Sequence, residues 1–510
     1  MTPGAAVLPC AGDPAGALLV LAIVLPTAGF LLALSVGGGR AERVALLFLA
    51  GGFAVAIAIV AAIWRSGHAL SYALGGWTPP LGIALRADGL SAVMAMTTAL
   101  VVGAVALFGR QNFAAPAPGV EARVPLSFWT LLLAVTTALN LIWFAGDLFS
   151  LYVALELLTF TAVPLVCLDG RADTLEAALR YMLFALMGSV LYLLGTALLY
   201  SAYGTLDIAL LSERVRPEPA VWTAAALMTA GLVAKTALFP LHLWLPPAHA
   251  GAPPAASALL SALVVKGSFF LLVRLWFDVL PGLPSRAPAE LLAALGAAAV
   301  LMGSVLALRQ ARLKLLIAYS TVAQIGYLFL MFPLASGPAG GPVAAGALTG
   351  GMLQAVSHAT AKAAMFMAAG VMAGALGHDR IAGLAGTARA LPMSMFAFGL
   401  GGAALIGLPP SGGFLAKWLL LTASVQSGQW WWAAVMLTGG LFTCGYVFMV
   451  VGRAMGEKDA SEPRIIAAPI TGQAVALALA VISMLLGLAA LAPLDLVLVG
   501  RPTLAVVACR

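Results

Sequence analysis

The chain has 510 residues, of which 62% are hydrophobic and only 9% are charged. A soluble domain carries about 25% charged residues, so this composition cannot cover a water-facing surface. Soluble enzymes, nucleic-acid binders and disordered scaffolds are excluded as readings of the whole chain. About 20 apolar residues cross a bilayer as a helix, and 62% of 510, about 316 residues, is enough for a dozen or more crossings. A transmembrane barrel would show short alternating segments with a polar interior. The fold class is therefore an all-α polytopic membrane protein. The net charge of +7 is scattered through the loops without a basic run, as a positive bias on cytoplasmic loops produces, and no nucleic acid is expected as a partner.

Apolar runs bounded by charges or Pro/Gly breaks predict about fourteen transmembrane helices, at 16–36, 43–63, 89–109, 125–145, 147–168, 178–203, 220–240, 253–277, 288–308, 314–335, 341–377, 391–424, 429–452 and 469–492. The first has no basic region before it and reads as a retained helix, not a cleaved signal. The segments 341–377 and 391–424 are too long for one simple crossing. Each has an internal Gly- or Pro-rich point, so both are expected to be broken helices. The polar stretches near 64–88, 204–219 and 453–466 are loops too short to fold alone. With both termini outside, the inner loops collect fourteen Lys and Arg residues and the outer loops eight, which favours periplasmic termini. Cys10, Cys167, Cys444 and Cys509 show no CxxC or Cys/His spacing, so neither a disulfide framework nor a metal cluster is expected. The GPAGG stretch at 337–341 lacks the strand context of a phosphate loop.

Lysine is the informative residue. Of six lysines, Lys235, Lys266, Lys314, Lys362 and Lys417 fall in or at the edge of apolar segments, whereas the twenty arginines lie in loops or at helix ends. Arginine supplies fixed charge. Lysine can give up its proton when buried, and arginine cannot. Lys314, near a helix start, can snorkel to the interface. The other four have apolar neighbours on both sides, and an ionisable group at that depth costs about 2.5–3.5 kcal/mol on insertion scales. Glu156, in DLFSLYVALELLTF, is the one carboxylate deep in a predicted span, and one of the buried lysines is its natural partner. Asp147, at the start of that helix, reads as its cap.

The stretch VAKTALFPLHLWLPPAHAGAPP holds Lys235, His242 and His249 among Pro240, Pro246, Pro247, Pro253 and Pro254. This much proline interrupts the helix just after Lys235, and unwound backbone at membrane depth survives only inside protein or beside water. His358 and Lys362, four apart, share a helical face. GLPPSGGFLAKWLL makes a second break just before Lys417. Two interrupted, lysine-bearing helices in successive halves mark inverted-repeat transporters. The histidines lack a carboxylate or cysteine at ligand spacing, so no metal is expected, and no cofactor motif is present.

These segments, together with LKLLIAYSTVAQIGYLFL and SHATAKAAMFMAAG, resemble the antiporter-like subunits of respiratory complex I and of Mrp-type sodium/proton antiporters, in order from about residue 85 to 420. The resemblance implies fourteen helices with two inverted five-helix repeats, each with a broken helix. It divides the chain into N-terminal helices (1–124), a first repeat (125–280), a second repeat (281–452) and a C-terminal helix (453–510), with no long lateral helix after the last span. It casts Glu156 and Lys235 as the first half-channel pair, Lys266 as the link between halves, His358 and Lys362 as a central pair, and Lys417 as the terminal group. His242, His249, Lys314, a tyrosine and Gln324 are secondary. Arg312, Gln354 and Pro247 depart from residues common in the family.

The expected function is proton translocation through a Glu/Lys/His relay, in an inner-membrane complex with other membrane subunits as partners, protons as cargo and sodium as a second candidate. Driving chemistry would fall to those partners. A stand-alone secondary cation transporter and a membrane anchor subunit of a hydrogenase-like complex are the alternatives.

Overall fold

A computed structural model of the chain describes residues 14–37, 39–114, 123–280, 286–336, 341–457, 465–488 and 496–500. Cys10, Cys509, Lys458, Arg464, Arg501, Arg510 and all but Gly341 of the 337–341 stretch lie outside the described residues. The helices follow the apolar runs. They are α1 (Ala17–Val36), α2 (Arg40–Ser66), α3 (Gly89–Asn112), α4 (Arg123–Phe144), α5 (Leu148–Val166), α6 (Ala172–Tyr203), a short α7 (Ile208–Arg214), α8 (Pro219–Thr236), α9 (Leu245–Gly251) and α10 (Pro254–Val279). The second half continues with α11 (Arg286–Leu308), α12 (Leu313–Ala335), α13 (Pro342–Leu376), α14 (Pro392–Ile406), α15 (Gly412–Gln426), α16 (Trp430–Met455) and α17 (Ile470–Leu485). Eleven of these are long and apolar enough to cross a membrane; α14 and α17 are shorter apolar helices. The chain is a multi-pass helical membrane protein.

α10 is buried along its length, and α12 nearly so, whereas α1, α2 and α16 turn most of their surface outward. The outward side chains, among them Leu47, Leu183, Phe396 and Leu441, are those a lipid phase accepts without cost. The polar loop before α3 carries one antiparallel hairpin, Leu70–Ala73 (β1) against Ala84–Ala87 (β2), with Leu70 opposite Ala87. The sequence pattern predicts only a loop there.

Both proline-rich breaks are present. α8 stops at Thr236 because Ala237 takes a left-handed conformation (φ 59°). The carbonyl of Ala234 accepts from Ala237 N at 3.2 Å and from Trp244 Nε1 at 3.1 Å. α9 restarts with Pro246 and Pro247 in its first turn, where the missing N–H is harmless. α14 stops at Ile406 with Gly407 at φ 91°, and Ser411 caps α15 by accepting from Phe414 N at 3.1 Å. The segment 341–377 differs from expectation. It is one continuous α-helix of 35 residues, about 52 Å at 1.5 Å per residue. Its Gly350 and Gly351 cost about 1 kcal/mol each in a helix interior, but they serve packing: a Cβ on Gly351 would lie 2.1 Å from Met331 Sδ.

α6 and α8 approach through a reciprocal glycine contact. A Cβ on Gly231 would lie 2.2 Å from Gly188 O, and one on Gly188 would lie 2.6 Å from Gly231 O. Since α8 carries Lys235 one turn further on, this contact fixes how near that lysine comes to α5. A backbone clash cannot be relieved by a rotamer change, so Gly231→Ala should destabilise by about 1–3 kcal/mol, the cost of overpacking. Gly103→Ala, where a Cβ meets nothing within 4 Å, should not. Thermal unfolding of the two variants in detergent checks the contrast.

Candidate functional site

The membrane-embedded lysines are buried in protein: Lys266 and Lys362 expose 0% of their surface, Lys417 6% and Lys235 7%. Their stems do not snorkel to lipid. A buried amine needs an acceptor, since an unpaired polar group costs roughly 1–3 kcal/mol or more, and each of the four finds a main-chain carbonyl.

Lys235, in the last turn of α8, reaches α5. Its Nζ lies 3.4 Å from Glu156 Oε1, 3.0 Å from Thr159 Oγ1 and 3.3 Å from Leu155 O. Glu156 is half-buried, with 16% of its side chain exposed. Thr159 stands three residues after Glu156 on the same face of α5, a spacing that could have flagged it. Asp147 caps α5, accepting from Phe149 N and Ser150 N at 3.0 and 2.8 Å, as its position suggested.

Lys266 sits in α10 just after a π-helical turn over Leu260–Val264. Such a turn displaces carbonyls from the regular ladder and recurs at functional sites. Lys266 Nζ takes Ser261 O at 2.6 Å and meets His358 Nδ1 of α13 at 2.6 Å. The second contact requires one nitrogen to accept, so Lys266 and His358 are not both charged while it stands. Thr236, at the break in α8, is tied to Ser268 of α10 at 3.0 Å, which joins the first lysine's helix to the second's.

Lys362, on the same face of α13 as His358, turns instead to α12, donating to Ile317 O at 3.0 Å and to Ser320 Oγ. Lys417, in the second turn of α15, reaches back across the break to the C-terminal carbonyls of α14: Leu405 O at 2.6 Å and Ile406 O at 3.1 Å. A cation is favoured at that end of a helix. Its Nζ also lies 4.3 Å from the centre of the Tyr327 ring, a cation–π contact.

The secondary residues are placed less directly. His249, fully buried, stacks on Phe366 with ring centres 4.6 Å apart, and neither ring nitrogen has a protein hydrogen-bond partner. His242 is buried in the unwound segment with its ring 5.7 Å from that of Phe239. Among the described residues, no hydrogen bond joins either histidine to a lysine. Lys314 is half-buried and donates to Ala252 O at 3.1 Å, while Arg171 and Arg312 reach Gly251 O and Ala250 O at 3.3 and 3.4 Å. Three cations thus close the C-terminal end of α9 directly after His249. Arg312 also pairs with Asp379 at 3.0 Å.

One buried charge cluster is not foreseen from the sequence. Arg274, near the end of the predicted span 253–277, is held between Asp88 (2.5 and 2.6 Å) and Asp278 (2.7 Å), with Ser91 Oγ at 2.9 Å. Asp278 is 4% exposed and lies in the final π-helical turn of α10, so Glu156 is not the sole buried carboxylate of the spans. The helix runs two residues beyond its predicted end, which carries Asp278 inside. The spacing of Arg274 and Asp278, four apart, was the available signal. Among the described residues no group of three or more His, Cys, Asp or Glu could hold a metal ion.

The fold and this interior define a class: a polytopic helical protein with interrupted helices and a row of buried amines. Residues 145–443 match the family description "NADH:quinone oxidoreductase/Mrp antiporter, TM", and the chain belongs to that family. It is 35% identical to NADH-quinone oxidoreductase subunit N of Desulforudis audaxviator over 447 residues, covering 86% of this chain and 83% of the relative. It is 29% identical to a Na(+)/H(+) antiporter subunit of Alkalihalophilus pseudofirmus, covering 84% of each. A chain in the Mrp complex from Dietzia sp. superposes with a TM-score of 0.85 at 25% identity, over 97% of this chain and 99% of the other.

Removing Arg274 would leave Asp88 and Asp278 facing each other without a cation. Arg274→Met should therefore destabilise by about 3–5 kcal/mol, the range for breaking a buried ion pair. Arg286→Ala, from a pair whose arginine side chain is 73% exposed, should change little. Thermal denaturation of the detergent-solubilised protein measures both.

Proposed function

We propose that this chain is a proton-translocating subunit of a multi-subunit inner-membrane complex, moving protons along Glu156, Lys235, Lys266, His358, Lys362 and Lys417. The observation that carries the reading is the burial of four lysines against carbonyl oxygens, with a carboxylate at the first alone. A carbonyl accepts a hydrogen bond from an ammonium or from a neutral amine, so each site tolerates both states of its lysine, as a relay requires. Protons are the primary cargo, with sodium as a second candidate. Family membership and relatives named as subunits of NADH-quinone oxidoreductase and of a sodium/proton antiporter support assembly with other membrane subunits. Those partners would supply the driving reaction.

The topology that goes with this function has fourteen crossings. The eleven long helices are joined by α17 and by two broken crossings, α8 with α9 and α14 with α15. Two five-helix units, 125–280 and 281–452, then each have a broken fourth member with a lysine beside the gap, flanked by N-terminal helices in 1–124 and a last helix in 453–510. An inverted relation between the units puts one break towards each side of the membrane. The excess of basic residues in the inner loops favours both termini on the periplasmic side.

The role of the first pair is tested by Glu156→Gln and Lys235→Ala in the intact complex. Both variants should abolish proton transport across membrane vesicles, read with a pH-sensitive dye, while the complex assembles at normal levels. Wild-type transport in both would refute these roles.

A further inference from the structure

Lys362 and Lys417 bind carbonyls on different helices, and a polar seam joins the two sites. One face of α12 presents Ser320, Gln324 and Tyr327 at helical spacing. Ser320 Oγ accepts from Lys362. Gln324 Nε2 donates at 3.3 Å to Leu405 O, the carbonyl that Lys417 also binds. Gln354 of α13, standing where the family resemblance suggests a histidine, donates from Nε2 to Gln324 Oε1 at 2.9 Å. The seam thus runs from one lysine to the other, but its two amides neither take up nor release protons in an accessible pH range.

Facing this seam from α16 is Tyr446, 0% exposed. Its hydroxyl has the side chains of Ser320, Gln324 and Thr443 as polar neighbours, yet it makes no hydrogen bond of good geometry to any of them. A buried hydroxyl left in that state is costly. In a rigid packing role a phenylalanine would serve better. A phenol can also accept one proton as it donates another, and so return to its starting state.

We propose that Tyr446 passes the proton between Lys362 and Lys417; the inference rests on the relay reading above. An N–H bond of the Lys362 ammonium breaks as Ser320 Oγ takes the proton, and the hydroxyl proton of Ser320 moves to the Tyr446 oxygen. The phenolic proton leaves to a water molecule at the Gln324 amide, and a proton of that water completes the ammonium of Lys417, which begins as the free amine. One N–H bond is lost at Lys362 and one gained at Lys417. Ser320, Tyr446 and the water end with the protons they began with, and no electrons change hands. Gln324 and Gln354 act as positioning residues: the bond from Gln354 Nε2 to Gln324 Oε1 holds the Gln324 amide beside the phenol.

The test is proton movement in native-membrane vesicles holding the intact complex, expressed per assembled complex. Tyr446→Phe should lower the rate about 100-fold, within the range for a lost proton-transfer group, with normal assembly. Tyr446→His, which restores a group able to accept and donate, should recover most of it. Ser320→Ala, cutting the same line from α12, should reproduce the loss. Wild-type rates in Tyr446→Phe or Ser320→Ala, alongside silent Lys362→Ala and Lys417→Ala variants, would overturn the assignment of the link and leave the relay standing. Wild-type rates in all four would overturn both. An assembled but silent Tyr446→His would reduce Tyr446 to a packing residue and overturn the proposal.

Discussion

The constraint on which this interior depends is the need of a buried amine for an acceptor. In a helix the carbonyl oxygens are already committed to the main-chain ladder, so a polytopic helical protein has few to spare. This chain offers them at irregular helix segments for two of its four buried lysines, while Lys235 and Lys362 bind carbonyls within α5 and α12. The end of α14 offers Leu405 O and Ile406 O to Lys417, and the π-helical turn of α10 offers Ser261 O to Lys266. At the second break the interruption and the lysine are two parts of one solution: unwound backbone at membrane depth must be satisfied inside the protein, and the amine of Lys417 satisfies it, whereas at the first break Trp244 takes that part.

The nature of the acceptor separates two kinds of buried cation. Arg274 is clamped by the carboxylates of Asp88 and Asp278 and by the hydroxyl of Ser91. Arginine cannot deprotonate in a protein, and two carboxylates would forbid it in any case, so this cluster is a permanent strut between the start of α3 and the end of α10. Lys266, Lys362 and Lys417 face neutral partners, which do not fix the charge. Lys235 stands between the two cases, with one carboxylate at 3.4 Å and two neutral oxygens nearer or as near. The lysine for arginine choice that is visible in the sequence therefore corresponds to a difference in surroundings that only the structure displays.

Much of this was legible from residue types alone. The apolar runs located the helices, the proline clusters located both interruptions, and the isolation of Glu156 among apolar residues pointed to a lysine partner. What escaped was set by tertiary packing. Gly350 and Gly351 read as a weak point, yet α13 continues through them because neighbouring helices occupy the space a side chain would fill. Asp278 read as a loop residue because α10 outruns its apolar stretch, ending in a π-helical turn. His358 and Lys362 read as a pair by their spacing, but each is turned to a different helix, the first to Lys266 and the second to Ser320. Helical periodicity gives a shared face, not which neighbour that face meets.

The row of lysines also limits its own charge. Two unit charges separated by several ångströms repel by some kilocalories per mole at the effective dielectric of a protein, about 20, and one carboxylate cannot neutralise four ammonium groups. Lys266 and His358 already exclude double charging by sharing a hydrogen bond at 2.6 Å. Protonating any member therefore raises the cost of protonating its neighbours. If the proposed relay holds, the carboxylate belongs at an end of the line, where Glu156 beside Lys235 leaves the interior sites unpinned. The helix terminus and aromatic ring that receive Lys417 are weaker anchors than a carboxylate, as the proposed relay would need at the site where its proton leaves.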